Sequence, residues 1–327
     1  MKILVLGGAG YIGSHMVRFL AEQNADVVVF DNLSTGHRFL AGPATLVAGD
    51  ILDTTALAAL FGEHGPFDAV IHFCAKSLVG ESVVDPALYY RNNLVGTLNL
   101  LDTMRATGHR RIVFSSTAAV YGIPHTELID ELQPLQPINP YGRSKLMIER
   151  ILEDHAAAYG FDATALRYFN AAGAHPDGDI GELHQPETHL IPNVLKAVQG
   201  GPPLKIFGTD YPTADGSCVR DYVHVCDLAA AHWQAIGFMK ANPGMHAFNL
   251  GNGQGFSVLE VIRCVERVTG RPVPREIALR RVGDPPRLVA DATRARDLLG
   301  WRPRQTDLED IVASAWRFHE RHGFGSA

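Results

Sequence analysis

The sequence predicts an α/β protein in which a doubly wound parallel sheet is joined to a second, smaller α/β lobe. Three observations carry that expectation. Short apolar runs alternate with helical patterns up to about residue 170, as strand–helix–strand crossovers require. A glycine-rich turn, Gly7-Gly8-Ala9-Gly10-Tyr11-Ile12-Gly13, follows the first apolar run and opens the first helical pattern. Beyond Asn170 the alternation breaks, residues 171–189 become rich in Gly, Pro and His, and the elements shorten. The expected division is residues 1–170 for the sheet domain and 171–327 mainly for the second lobe, with some later segments returning to the first.

The first strand is Ile3-Leu4-Val5-Leu6, and the helix after the turn reaches about Gln23. In a strand–turn–helix of this kind Gly7 suits the tight turn, Gly10 lets backbone approach a pyrophosphate, and Gly13 lets the helix pack on the strand. An anion there meets unpaired N–H groups and the positive end of the helix dipole. The second strand, Val27-Val28-Val29-Phe30, ends in Asp31, placed to accept hydrogen bonds from an adenosine ribose. Together these features describe a Rossmann-type dinucleotide site. Next come Leu46-Val47-Ala48, a helix from near Asp53, Ala69-Val70-Ile71-His72-Phe73 and a long helical pattern over 86–104. Arg111-Ile112-Val113-Phe114-Ser115, a helix over 141–159 and Thr164-Ala165-Leu166-Arg167-Tyr168 complete the alternation. Crossovers in such a sheet are right-handed, and ligands sit beyond the carboxyl ends of its strands. Asp31, Asp50, Phe73-Cys74-Ala75, Ser115-Ser116-Thr117 and Tyr168-Phe169-Asn170 are therefore expected around one cleft. In the second lobe the sequence predicts a helix over 190–200 and strands at Lys205-Ile206-Phe207 and Tyr222-Val223-His224-Val225. Ser257 with Glu260, and Thr306 with Glu309, read as capping boxes, and Gly270 stops the helix that the first one starts.

At 327 residues, 46% hydrophobic and 20% charged, the chain has the composition of a soluble globular protein with a sizeable core. A formal charge of −6 argues against general nucleic-acid binding. No apolar run is long enough to span a bilayer, and the N-terminus enters the first strand without a signal-peptide pattern. Cys74, Cys218, Cys226 and Cys264 show neither CxxC pairing nor zinc spacing, which fits free thiols in a reducing cytoplasm. The pairs His184/His189 and His319/His322 lack neighbouring ligands in the sequence and read as surface histidines, so no metal centre is expected.

Chemistry is concentrated in Asn139-Pro140-Tyr141-Gly142-Arg143-Ser144-Lys145. Asn139 and Pro140 are an N-cap and first-turn pair, so Tyr141 and Lys145 share one face early in a helix. A tyrosine acts as a base only when its pKa falls well below about 10. An ammonium about 4 Å away, at an effective dielectric near 20, is worth roughly 4 kcal/mol. That lowers the pKa by about three before burial takes part of it back, and a cationic nicotinamide ring pushes the same way. Any hydroxyl of Ser115, Ser116 and Thr117 could bridge the tyrosine and a substrate oxygen.

The Gly-x-x-Gly-x-x-Gly turn, a hydroxyl ahead of Val120-Tyr121-Gly122 and Tyr141-x-x-x-Lys145 resemble the extended short-chain dehydrogenase/reductase family. Within it the chain resembles the UDP-glucose 4-epimerases over nearly its whole length. That likeness includes Val79-Gly80-Glu81-Ser82, Asn92-Asn93, the residues from Leu166 to Asn170, Val219-Arg220-Asp221-Tyr222 and Gly283-Asp284-Pro285. The resemblance implies NAD as cofactor and a UDP-sugar as substrate. It implies that Tyr141 removes the proton of the sugar 4-hydroxyl while C4 passes hydride to NAD. The 4-keto sugar then turns over and takes the hydride back on its other face. Thr117 aligns with the family's catalytic serine or threonine, and Lys145 with the lysine that holds the cofactor ribose. The implied NAD contacts are Gly7, Gly10, Tyr11, Ile12, Gly13, Asp31, Asn32, Asp50, Ile51, Phe73, Cys74, Ala75, Asn92, Ser115 and Tyr168, with Tyr141 and Lys145. The implied substrate contacts are Thr117, Phe169, Asn170, His189, Leu190, Lys205, Phe207, Arg220, Tyr222, Arg281 and Asp284, with Leu288 lining the pocket for the sugar 2-substituent. His189 stands where an asparagine is frequent, and Ser77, one place beyond Lys76, where a cofactor-facing lysine can occur. The helices over 86–104 and 141–159 resemble those that pair across a dimer, which implies a homodimer, and the setting implied is cytoplasmic.

Three other readings compete with glucose/galactose epimerisation. One is a 4-epimerase for UDP-N-acetylglucosamine or UDP-glucuronate. The second is a dehydratase or decarboxylase, which would need acidic groups where the chain has Ala118 and Ala119. The third is a non-catalytic NAD-sensing protein, which has no need to keep Tyr141, Lys145 and a hydroxyl together.

Overall fold

In the computed structural model, which describes residues 1–281 and 284–324, the first half of the chain alternates as the sequence predicts. It runs β1 (Lys2–Leu6), α1 (Tyr11–Glu22), β2 (Asp26–Asp31), β3 (Thr45–Ala48), α2 (Thr54–His64) and β4 (Ala69–His72). Then come α3 (Val79–Val84), α4 (Pro86–Tyr89), α5 (Gly96–Ala106), β5 (Arg111–Thr117), α6 (Pro140–Tyr159) and β6 (Asp162–Tyr168). The expected single helix over 86–104 is broken by a π-helical turn, Tyr90–Val95, between α4 and α5. This turn carries Asn92 and Asn93, and Asn93 is tied to both the Lys76 backbone and the Ser144 hydroxyl.

The second half runs β7 (Asn170–Ala172), α7 (Leu190–Val198), β8 (Leu204–Phe207), β9 (Val219–His224), α8 (Val225–Met239) and β10 (Met245–Leu250). It ends with β11 (Gly255–Ser257), α9 (Val258–Thr269), β12 (Arg275–Ala278), β13 (Arg287–Leu288) and α10 (Leu308–His322).

The main sheet has seven strands in the order β10-β6-β5-β4-β1-β2-β3, and each pairing is parallel. Strand residues alternate between its faces. Ile3, Val5, Val27 and Val29 belong to a core that includes Met16 and Leu20 of α1 and Leu228 and Ile236 of α8. Leu4, Leu6, Val28 and Phe30 belong to the opposite core, with Leu57 of α2, Leu101 of α5 and Ile148 of α6. Burial on both faces explains why the strands read as continuous apolar runs. Late segments return here, since β10 forms one edge and α8 one covering helix.

The remaining strands make two small sheets, β11-β9-β13 with β7 also on β9, and β12-β8. With α7, α9 and α10 they enclose a third core that includes Leu195, Ile206, Val261, Val265 and Ile311. Ser257 and Glu260 form the predicted capping box of α9, and Gly270 ends that helix in a left-handed conformation. The second predicted box is not formed. Asp307 caps α10 by accepting the Glu309 N–H, because a carboxylate one residue closer to the helix reaches the unpaired amide directly.

Candidate active site

The sheet order reverses at β1, which pairs with both β2 and β4. The cleft beyond the carboxyl ends of these strands is where an open α/β sheet takes its ligand. The glycine turn lines one side. Gly7 has φ +80, and a Cβ on Gly13 would lie 2.0 Å from the Gly7 carbonyl oxygen, so helix and turn pack through missing side chains. A Cβ on Gly10 would meet nothing closer than 3.4 Å, leaving space over that residue. α1 starts there with no side-chain cap, and its first amides face the space a diphosphate needs. Asp31 is buried and holds the turn by accepting the Ala9 and Leu33 N–H groups at 2.9 and 2.8 Å. Asn32 donates to Asp50 at 2.8 Å, Asp50 also accepts the Leu52 N–H, and Ile51 is buried between them. These residues stand together beyond β2, where an open α/β sheet takes its dinucleotide.

On the other side stand β5 and α6. Asn139 accepts the Gly142 N–H at 2.8 Å and fixes the start of α6. The Tyr141 ring meets Tyr89 edge to face at 6.4 Å, and the Thr117 hydroxyl acts to lower the phenol's pKa. The three hydroxyls separate cleanly. Ser115 bonds with the Tyr168 phenol, Ser116 donates to Glu149 at 2.5 Å, and Thr117 is the one at Tyr141. Lys145 is almost wholly buried, donating from Nζ to the Ser115 carbonyl at 2.7 Å.

One electrostatic expectation is overturned. Burial holds the Tyr141 pKa above its ordinary value, and only the Thr117 hydrogen bond acts to lower it. The Lys145 ammonium lies over the Phe114 ring at 4.8 Å and 6.0 Å from the Tyr141 ring centre. Burial also pulls the Lys145 pKa down to about 7, against the raising influence of Cys74 and Glu149. Burial pushes the Cys74 thiol well up, leaving an inert apolar filler beside the Phe73 ring, which packs on His232 at 4.8 Å. Ala75 and Asn92 stand nearby and partly exposed.

The second lobe faces this wall with β7, β9 and the start of α7. Asn170 is in register with Tyr222, and both line a small cavity with His189 and Leu190. Arg220 is ion-paired with Asp284, and the Arg281 guanidinium lies 4.0 Å over the Phe207 ring. Phe169 and Leu288 join a small apolar cluster with Val120, Tyr121 and Ile129. Gly283, part of the sequence motif, lies outside the described residues. Lys205 does not converge on the site. The alternation of β8 buries Leu204 and Ile206 and turns Lys205 outward to Glu276, 3.7 Å away.

The histidine expectation is corrected in part, since His189 and His322 are exposed as expected while His184 and His319 are not. Glu182 and Glu187 stand beside His184 and His189, since the loop folds back on itself, and His319 is buried against Phe318 and Phe324. Sequence reasoning passed over Glu149 as well. It sits four residues beyond Lys145 on the same helix face and forms a buried pair with Arg167 at 2.6 Å. Arg167 in turn donates to the Tyr121 hydroxyl, which donates to Asn249. The i+4 spacing was the available signal. Asp221 is another, wholly buried and accepting the Asn252, Gly253 and Ala290 N–H groups.

The sequence matches the pattern of the NAD dependent epimerase/dehydratase family over residues 3–251. It is 52% identical to UDP-glucose 4-epimerase of Halalkalibacterium halodurans over 326 residues, 99% of this chain and 97% of the relative. The fold superposes with a TM-score of 0.94 on UDP-glucose 4-epimerase from Brucella ovis in complex with NAD, 49% identical, covering 96% of this chain and 97% of that one. A second solved structure, UDP-glucose 4-epimerase from Bifidobacterium longum in complex with NAD+ and UDP, is 38% identical, also with a TM-score of 0.94 and complete coverage of both chains. A glycine turn at the end of β1, Tyr141 with the buried Lys145 on α6, and matches that run the length of the chain lead to one conclusion: the chain belongs to the NAD dependent epimerase/dehydratase family.

Proposed function

We propose that the protein interconverts UDP-glucose and UDP-galactose, with residues 1–170 mainly holding NAD and 171–327 mainly holding the UDP-sugar. The observation that supports this reading is the grouping of Tyr141 and Lys145 on α6 with Thr117 at the carboxyl end of β5, where Lys145 Nζ is held by the Ser115 carbonyl. NAD, when bound, supplies the hydride acceptor and a positive charge on its nicotinamide ring. Tyr141 holds the proton exchanged with the sugar 4-hydroxyl, and Thr117 bridges phenol and sugar oxygen. Burial raises the phenol's pKa, and the positive nicotinamide ring would act against that shift. Lys145 orients the cofactor ribose. Arg220 and Arg281 meet the diphosphate, for which guanidinium forks are suited. Ala118 and Ala119, in the short turn after Thr117, offer no acid or base for a dehydration or decarboxylation.

The protein works as a homodimer in the cytoplasm. Exposed Val83, Val84, Val95 and Met147 on the α3–α6 side support an interface between copies, and no helix among the described residues is long and apolar enough to cross a membrane. Incubation of purified protein with UDP-galactose, without added cofactor, is expected to yield UDP-glucose at equilibrium. Formation of a dehydrated or decarboxylated sugar nucleotide, or no product, would overturn the assignment.

A further inference from the structure

The loop between β7 and α7 gathers four ligand-bearing side chains beside the sugar-nucleotide wall, away from Tyr141 and Thr117. Glu182, His184, Glu187 and His189 each offer one atom, and these atoms lie within 4.8 Å of one another. His184 Nδ1 is 2.9 Å from Glu182 Oε1. His189 Nδ1 contacts the same oxygen and lies 3.5 Å from Glu187 Oε1. The carboxylates are enclosed, with side chains 4% and 5% exposed. Among the described residues neither is paired with a lysine or arginine; their near neighbours of opposite sign are the two imidazoles. Two buried carboxylates this close call for cationic compensation. The His184 Nδ1 atom is shielded from solvent yet makes no aligned hydrogen bond, despite its distance to Glu182. A second group, His175, Asp177 and Asp179, differs on each point. Its aspartates are solvent-exposed and already ion-paired with Arg18.

We propose that Glu182, His184, Glu187 and His189 bind one divalent transition-metal ion, with zinc the best match to two imidazole nitrogens and two carboxylate oxygens. Zinc holds such ligands at about 2.0–2.2 Å in a tetrahedron, so binding would require these side chains to rearrange about the ion. The ion would neutralise both carboxylates. It would also tie together three pieces of chain: the loop itself, α7 through its N-cap His189, and the glycine turn, because the His184 ring meets the Tyr11 ring edge to face at 6.3 Å. Glu182 and His189 share a cavity with Asn170, Leu190 and Tyr222, so the ion borders the sugar-nucleotide site and its expected role is to brace that wall.

The test is a zinc chloride titration of protein first dialysed against a chelator, read by calorimetry, elemental analysis of the desalted protein and thermal unfolding. One zinc per chain is expected, with a higher melting temperature. His184→Ala and Glu187→Gln, each removing one ligand, are expected to weaken binding by about a hundredfold and to abolish the thermal shift, while both still melt cooperatively without metal. Magnesium chloride, a poor match for imidazole ligands, is expected to produce no shift. Absence of stoichiometric zinc, or equal zinc affinity in wild type and both variants, would overturn the proposal. Neither result bears on the epimerase assignment, which rests on Tyr141 and Thr117.

Discussion

Lys145 sits in an environment far from what its side chain prefers. Its ordinary pKa of 10.5 falls to about 7 because the ammonium is stripped of water. Between those values the unfolded chain binds a proton that the folded chain has released. Stability therefore rises with pH across that window, and the full penalty is present below about 7. Lys145→Met is expected to melt higher than wild type near pH 6, with the difference shrinking as pH rises toward 10.5. A pH-independent difference in melting temperature would place the burial penalty elsewhere. Leu288 tests specificity at the same scale. It is in register with Arg220 and packs in the cluster with Phe169. A leucine is intermediate between tyrosine, which blocks a bulky 2-substituent, and a small residue, which admits it. The expected activity on UDP-N-acetylglucosamine is ten- to two-hundredfold below that on UDP-glucose, as a misfit of about 1–3 kcal/mol gives. Leu288→Tyr is expected to remove the weaker activity and largely spare the stronger. Equal loss of both would show that Leu288 only packs the cluster.

At the scale of elements, α6 is held in register by more than its cap. Glu149 on this helix joins Arg167 of β6 and Ser116 of β5 in one buried network, which aligns the Tyr141 face with the strand end bearing Thr117. Glu149→Gln leaves the buried guanidinium without its counter-charge and is expected to destabilise the fold by about 3–5 kcal/mol in denaturant unfolding. Replacement of Glu149 and Arg167 together by apolar residues of similar volume is expected to restore most of that loss. A double variant no more stable than the single one would contradict the account. The start of α6 was legible in the sequence because Asn139-Pro140 is a local signal. The network was not, because its partners lie 18 and 33 residues away in the chain and meet only when the sheet forms. The same limit applies to Thr306. Two residues able to cap α10 stand side by side in the sequence, and only the backbone path decides that Asp307 does so.

At the scale of the whole molecule, the sheet was legible as far as β6 because strands buried on both faces leave continuous apolar runs. β10 returns to the edge of that sheet without such a run, its sequence being Met245-His246-Ala247-Phe248-Asn249-Leu250, so its place depends on tertiary pairing. Lys205 shows the converse. Its position in the resembling sequences suggested a contact, whereas the pleat of β8 turns it outward. The Glu182–His189 grouping was hidden because residues two to seven apart gave no hint that their loop doubles back. The two halves supply the glycine turn, the Thr117, Tyr141 and Lys145 group and the Arg220–Asp284 pair, and the proposed reaction needs all three around one cleft. The claim that this cleft moves a proton through Tyr141 is tested most directly by turnover of UDP-galactose by Tyr141→Phe, measured alongside its NAD content. The account predicts wild-type NAD content with turnover lower by about a hundred- to ten-thousandfold. Near-normal turnover in a variant that has kept its NAD would contradict it.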